Sequence, residues 1–553
     1  MNGFVILLIA IVLFIAAYAT YGAWLCKQWG IDPTRKTPAV EKNDGGDYVP
    51  TSTAVLLGHH FASIAGAGPI TGPINAAFFG WIPVFLWILI GGVFFGGVQD
   101  FSALFASIRH DGKSIGEVIN VHIGKKCKLI FNIFVFLVLL LVVAAFSDIV
   151  AGTFASVVAA DATEQAIANA RSAGSVATAS VLFIPLAILF GLLQRKNGNI
   201  VLNTVIGVVL LCVSIAVGIM CPMMNVSKNF WLSMTFVYIF IASVAPVWIL
   251  LQPRDYLNSF LLYAIIILSV VGIGAARPEL AIPAFSGFVV KGQPLFPVLF
   301  ITIACGAISG FHSLIASGTT SKQLRNEGDA KMIGYGGMLI ECCLAVVALV
   351  AVGSAKGQEL AGMGSGPAAI FANGIASFVA VIGLPEKTAA TVIALAYSAF
   401  CLTSLDTATR LGRMIFQEMF DEANESVKKV CCNKYFATLV TIALSAALAS
   451  AGYQNIWPLF GAANQLVAVP AFMACAVWFK HVGRNNKMFL IPMAFMLVAT
   501  MSSLVISFTT NVSKLMAGTG VMGKEGLQCV IIVPLIVLAL IITFEGYKEL
   551  KKA

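Results

Sequence analysis

Charge is what this chain has least of. Only 11% of its 553 residues are Asp, Glu, Lys or Arg, against about 25% in ordinary soluble domains. That density cannot clothe a water-soluble surface, so a soluble globular protein is excluded. The twelve cysteines form no CxxC pair and no regular framework, which leaves packing residues and reduced thiols. Cys431 and Cys432 are adjacent but have no nearby His, so they read as structural rather than metal-binding. HExxH, GxSxG, Walker A and GxGxxG patterns are missing too. Their absence disfavours an ATP-driven pump and the common intramembrane hydrolases. No enzyme activity, cofactor or metal is implied.

What the chain does have is apolar surface. Hydrophobic residues make up 59%, glycine contributes 50 residues, and mean hydropathy is +0.93. A membrane helix needs about 20 apolar residues. About fifteen such runs occur, from 3–26 and 55–78 through 230–251, 295–317 and 335–353 to 528–547. The shortest are 177–193 and 388–404. No basic residue precedes the first run and Lys27 follows it, so it reads as a membrane helix rather than a cleavable leader.

The net charge of +9 resolves into topology. With the N-terminus outside, the inner loops and C-terminal tail hold 26 Lys and Arg and the outer loops hold 8. That asymmetry follows the positive-inside rule and gives no reason to invoke nucleic acid. It predicts a multi-pass membrane protein with a cytoplasmic C-terminus.

Two runs carry breaks. Gly66, Gly68, Pro69, Gly72 and Pro73 interrupt the second, and Pro246 and Pro253 lie in the stretch 246–255 of the seventh. Broken helices persist in a membrane only inside protein or beside a water-filled cavity. Paired breaks in corresponding halves point to a transporter site. The reading is therefore an all-α polytopic protein with an inverted five-plus-five helix repeat, runs 2–6 and 7–11. One N-terminal helix and loop (1–54) precede a core at 55–404, and four helices follow in 405–553. Gly66, Ala67, Gly68, Pro69, Thr71 and Gln252 are the expected substrate contacts. The N–H groups after the first break suit a carboxylate.

Ionisable residues at membrane depth are costly and usually functional. His59 and His60 precede the first break, Asp100 interrupts the third run, and His312 lies in the ninth between Ser309 and Ser313. Ser309 and Ser313 are spaced i, i+4, so both hydroxyls share one helix face with His312 beside them. Those hydroxyls would suit sodium, or could simply bond back to their own helix. An imidazole suits a proton, so proton coupling through His312 is favoured, with Asp100 or His59 as relays. Asp406 and Arg410 stand i, i+4, as for an interfacial pair. The glycine pairs Gly92/Gly96 and Gly306/Gly310 read as close helix packing.

These motifs resemble the carbon starvation protein A family. The likeness rests on the run from Gly45 through Asp47 and Tyr48 to Thr51, on Gly58-His59-His60-Phe61 with Gly66-Ala67-Gly68-Pro69, and on Phe101 through Lys113. It continues from Gly306 to Leu324, with Ser309-Gly310-Phe311-His312-Ser313 and Ser317-Gly318-Thr319-Thr320. The resemblance covers most of the chain, which is shorter at its C-terminal side than familiar members. It implies an inner-membrane carrier of peptides, and in some members of pyruvate by proton symport, used when preferred carbon is scarce. It also implies the amino acid–polyamine–organocation architecture of two inverted five-helix repeats. A sodium-coupled carrier of another metabolite, a starvation sensor and a channel are the alternatives.

Overall fold

The computed structural model describes residues 1–158, 164–197, 199–450 and 452–552. Its regular elements are helices, apart from a short hairpin pairing Val289–Val290 with Gln293–Pro294. Helices satisfy their own backbone, as lipid requires. Among the described residues eleven are long and apolar enough to cross a membrane, or twelve if the bent pair Glu425–Cys431 and Lys434–Ala449 is one span. The expected fifteen exceed this count because three apolar runs are broken or short.

The chain starts with α1 (Gly3–Trp29), followed by the half-helices α2 (Thr53–Ile64) and α3 (Gly68–Ala76). Then come α4 (Trp81–Arg109), the short α5 (Ile115–His122) and α6 (Lys125–Phe154). A hairpin of α7 (Glu164–Asn197) and α8 (Ile200–Met220) leads to α9 (Lys228–Val244) and α10 (Leu251–Ala276). A second pair of half-helices, α11 (Leu295–Thr302) and α12 (Gly310–Gly318), precedes α13 (Glu327–Gly353). Next are α14 (Ala355–Gly362), α15 (Pro367–Ala380) and the long α16 (Glu386–Met419). The bent α17 (Glu425–Cys431) and α18 (Lys434–Ala449) lead to α19 (Tyr453–His481), α20 (Lys487–Met516) and α21 (Met522–Lys552). The shortest runs, 177–193 and 388–404, are the apolar stretches of α7 and α16, whose polar ends extend them.

The first break lies where expected, at 65–67, with Pro69 entering the first turn of α3. The second does not. Residues 245–250 form the turn between α9 and α10, and Pro253 sits in the first turn of α10. Proline is tolerated there because that N–H has no helical partner. The second interrupted span is the ninth run, where 303–309 separates α11 from α12.

Packing pairs the elements in a repeating way. α6 lies along α16; α9 touches both, and so does α18. α3 packs on α13 as α12 packs on α4, and α2 packs on α10 as α11 packs on α19. α10 meets α16 as α19 meets α6. The α7–α8 hairpin packs beside α10 and α16.

The loops rich in Lys and Arg meet on one face. Lys42 pairs with Asp111 at 3.1 Å, Ser114 donates to Glu418 at 2.9 Å, and His122 meets His481 at 3.2 Å. Thr51 bridges to Leu324 on that face, and Arg109 pairs with Glu327 at 2.5 Å. Other loops meet elsewhere: Asn2 bridges Glu279, and Leu280 bridges Ser354.

Candidate functional site

The two breaks cross. A Cβ on Gly68 would lie 2.5 Å from that of Cys305, and one on Gly72 would lie 2.9 Å from the Thr302 carbonyl. One on Gly66 would meet Ser404 Oγ of α16 at 2.6 Å and the Phe146 ring of α6 at 3.5 Å. Thr71 Oγ1 lies 3.3 Å from the Tyr397 hydroxyl of α16. The expected contacts Gly66, Ala67, Gly68, Pro69 and Thr71 are therefore all buried at one crossing, walled by α6 and α16.

Side-chain amides complete the unwound backbone of the second break. Gln99 Nε2 donates to the Ser309 carbonyl at 2.6 Å, and the Phe311 N–H donates to Asn464 Oδ1 at 2.8 Å. Asn464 Nδ2 donates to Ser309 Oγ at 3.0 Å, and Gln465 Nε2 to the Phe300 carbonyl at 2.8 Å. Such partners are what an interrupted helix needs at membrane depth. Ser404 Oγ does the same for the Ser63 carbonyl at 3.1 Å.

Beside the crossing lies a buried ionisable trio. His312 Nδ1 is 3.0 Å from Asp100 Oδ2, and its Nε2 is 3.5 Å from Glu341 Oε2 of α13. All three side chains are fully buried. Glu341 was not among the expected residues. His60 bonds to Thr320 Oγ1 at 2.8 Å and faces Gly337, one turn before Glu341 on α13.

His59 turns the other way. Its Nδ1 lies 2.8 Å from Asp255 Oδ2 of α10, so it belongs to a second cluster and does not relay to His312. There Arg254 pairs with Asp406, which also accepts from the Tyr238 hydroxyl at 2.6 Å. The i, i+4 pairing of Asp406 with Arg410 is therefore not made. Arg410 reaches Asp47 at 3.5 Å and the Ala242 carbonyl at 3.3 Å instead. The half-helix α2 is thus held by a His on each side, one against each cluster.

Two further expectations are corrected. Ser309 is extended (φ −137°, ψ 123°) and precedes α12, so it shares no helix face with Ser313. Ser313 Oγ donates back to the Gly310 carbonyl at 2.6 Å. Gln252 is not at the crossing. Its Nε2 donates to Thr51 Oγ1 at 2.9 Å, beyond the far end of α2, whose twelve residues rise about 18 Å. The glycine pairs do pack closely: a Cβ on Gly96 would lie 2.5 Å from the Ala307 carbonyl, and one on Gly306 2.9 Å from the Ala345 methyl.

Residues 2–365 and 354–503 match the family described as "Carbon starvation protein CstA". The chain is 34% identical to the peptide transporter CstA of Escherichia coli (strain K12), over 91% of this chain and 80% of that one. It is 33% identical to the pyruvate/proton symporter BtsT of the same organism, over 92% and 82%. The Bacillus subtilis (strain 168) peptide transporter CstA is 31% identical, over 90% and 89%. Among solved structures, a manganese transporter of Eremococcus coleocola superposes with a TM-score of 0.50 at 12% identity, over 92% of this chain and 99% of that one. That likeness concerns fold alone. Among the described residues no group of three or more His, Cys, Asp or Glu is placed to hold a metal ion. A sequence match running almost end to end, on a transporter fold with two crossing breaks, places this multi-pass membrane protein in the carbon starvation protein CstA family of transporters.

Proposed function

We propose that the chain is a secondary active transporter that imports peptides or pyruvate with protons across the inner membrane during carbon starvation. The names of its relatives support the substrate class. The crossed breaks support the site: the backbone at 66–69, Thr71 and the first N–H groups of α3 receive the carboxylate that peptides and pyruvate share.

The observation that carries the coupling is the Asp100–His312–Glu341 trio. Two carboxylates around one neutral imidazole carry two negative charges, and neutrality needs two protons. A dry, low-dielectric setting penalises any net charge. Filling and emptying this trio with protons is a natural partner to rearrangement of the breaks, because His312 rides on α12 directly after the second break. Ser309 and Ser313 do not assemble the oxygen set that favoured sodium.

The paired packings support an inverted five-helix repeat with altered membership. One copy is the first broken span, α4, α6, α9 and α10; the other is the second broken span, α13, α16, α18 and α19. The α7–α8 hairpin is an insertion, and the core extends from 53 to 481 rather than ending at 404. The shared basic face is the cytoplasmic one, with the N-terminus outside.

Uptake of labelled pyruvate and a dipeptide into proteoliposomes, under separate proton and sodium gradients, tests this. Saturable accumulation driven by the proton gradient alone is expected. Accumulation that follows sodium, or unsaturable flux, would overturn the coupling.

A further inference from the structure

A cavity of about 620 Å³ lies on the basic face, between the loop before α2, the end of α7 and the start of α10. Its size is within the range of small-molecule sites, about 300–1,000 Å³. Phe190, Trp248 and Tyr256 supply aromatic walls, and Thr51, Gln194 and Gln252 supply polar groups. The Gln194 Oε1 atom is buried without a hydrogen-bond partner. None of the described residues that line it is charged.

That lining discriminates between the two substrate classes. Pyruvate would have to surrender the hydration of its carboxylate, and none of the described lining residues offers a cation in exchange. The middle of a peptide carries neutral N–H and C=O groups, which carboxamides match as both donors and acceptors. Apolar side chains find the aromatic walls. Charged termini remain at the mouth, in water.

We infer that this cavity is a second binding site, separate from the crossed breaks, for the uncharged backbone of a peptide of three or more residues. It rests on the reading of the chain as a peptide carrier. The cavity also abuts the His59–Asp255 pair. Val55 lines it one turn before His59, and Tyr256 follows Asp255. A peptide here bears on the pair that ties α2 to α10.

The test is calorimetric titration of the purified full chain with trialanine and, separately, with pyruvate. Gly68→Leu fills the crossing and leaves the cavity open. That variant should bind trialanine at one site and bind no pyruvate. Adding Gln194→Leu and Gln252→Leu should weaken trialanine at least tenfold. Ser52→Trp, at an exposed lining position, should do the same without touching buried packing. Trialanine binding that disappears in Gly68→Leu, or that survives Ser52→Trp and both Gln changes unaltered, would overturn the second site. Wild type that accumulates pyruvate but binds no trialanine would overturn it too, while leaving proton-driven transport standing.

Discussion

At the scale of residues, the basic face has its own titrating contact. His110 Nε2 lies 2.8 Å from His122 Nε2, and His122 Nδ1 lies 3.2 Å from His481 Nδ1. Each contact needs a lone pair on one ring and an N–H on the other, so two rings in contact cannot both be charged. Burial, then the neighbouring His110 and His481, push His122 down from 6.5 to about 4. Burial also lowers His110, with Asp111 and Lys113 opposing each other nearby. The unfolded chain therefore binds more protons in that interval, so stability is full above about pH 6.5 and falls towards about pH 4. Melting temperatures in detergent should drop on acidification through this window, and less in His122→Gln. Equal drops in both proteins would contradict the assignment.

The buried Arg254–Asp406 pair makes a different prediction. Asp406→Ala leaves a guanidinium unpaired in the core and should cost about 3–5 kcal/mol. Arg254→Met with Asp406→Leu should recover most of that in the same unfolding assay. A double variant no more stable than the single one would count against the pair. Legibility at this scale followed charge. Asp100 and His312 stood out as ionisable residues at membrane depth, whereas Glu341, the lone acid in the run 335–353, carried the same signal and was passed over. Asp255 was obscured by Arg254 beside it near a helix end, and Asn464 carries no charge to announce it.

At the scale of elements, the two breaks are written in different chemistry. The first combines Pro69 and Pro73 with three glycines, a signal that periodicity cannot hide. The second has Gly306 and Gly310 but no proline, and those glycines also serve close packing against Ala345 and the Asn464 backbone. Prolines at 246 and 253 drew attention to a helix boundary instead. The crossing itself depends on Gly68 lying against Cys305. Gly68→Leu should abolish transport while the protein still reaches the membrane. Gly68→Ala should lose at least tenfold, and Cys305→Gly should restore part of it by vacating the space its Cβ needs. No rescue, or near-normal uptake by Gly68→Leu, would reduce the break to a kink.

For the whole molecule, loop charge was the most legible property. The loops assigned inside by Lys and Arg content touch one another on one face. Cysteines placed at Lys113 and Lys514 should be labelled from opposite sides of the membrane, and labelling from one side would undo the topology. The repeat we propose was only half legible. In it the α7–α8 hairpin shifts the second copy by two helices and the opening break lacks proline, whereas counting five runs from the first break led to α9.

The central claim is that protons on the Asp100–His312–Glu341 trio drive accumulation. The direct measurement compares substrate exchange with gradient-driven accumulation in proteoliposomes of wild type and His312→Gln. The variant should exchange labelled substrate across the membrane at a rate near wild type and fail to concentrate it under an inward proton gradient. Undiminished proton-driven accumulation by His312→Gln would contradict the account.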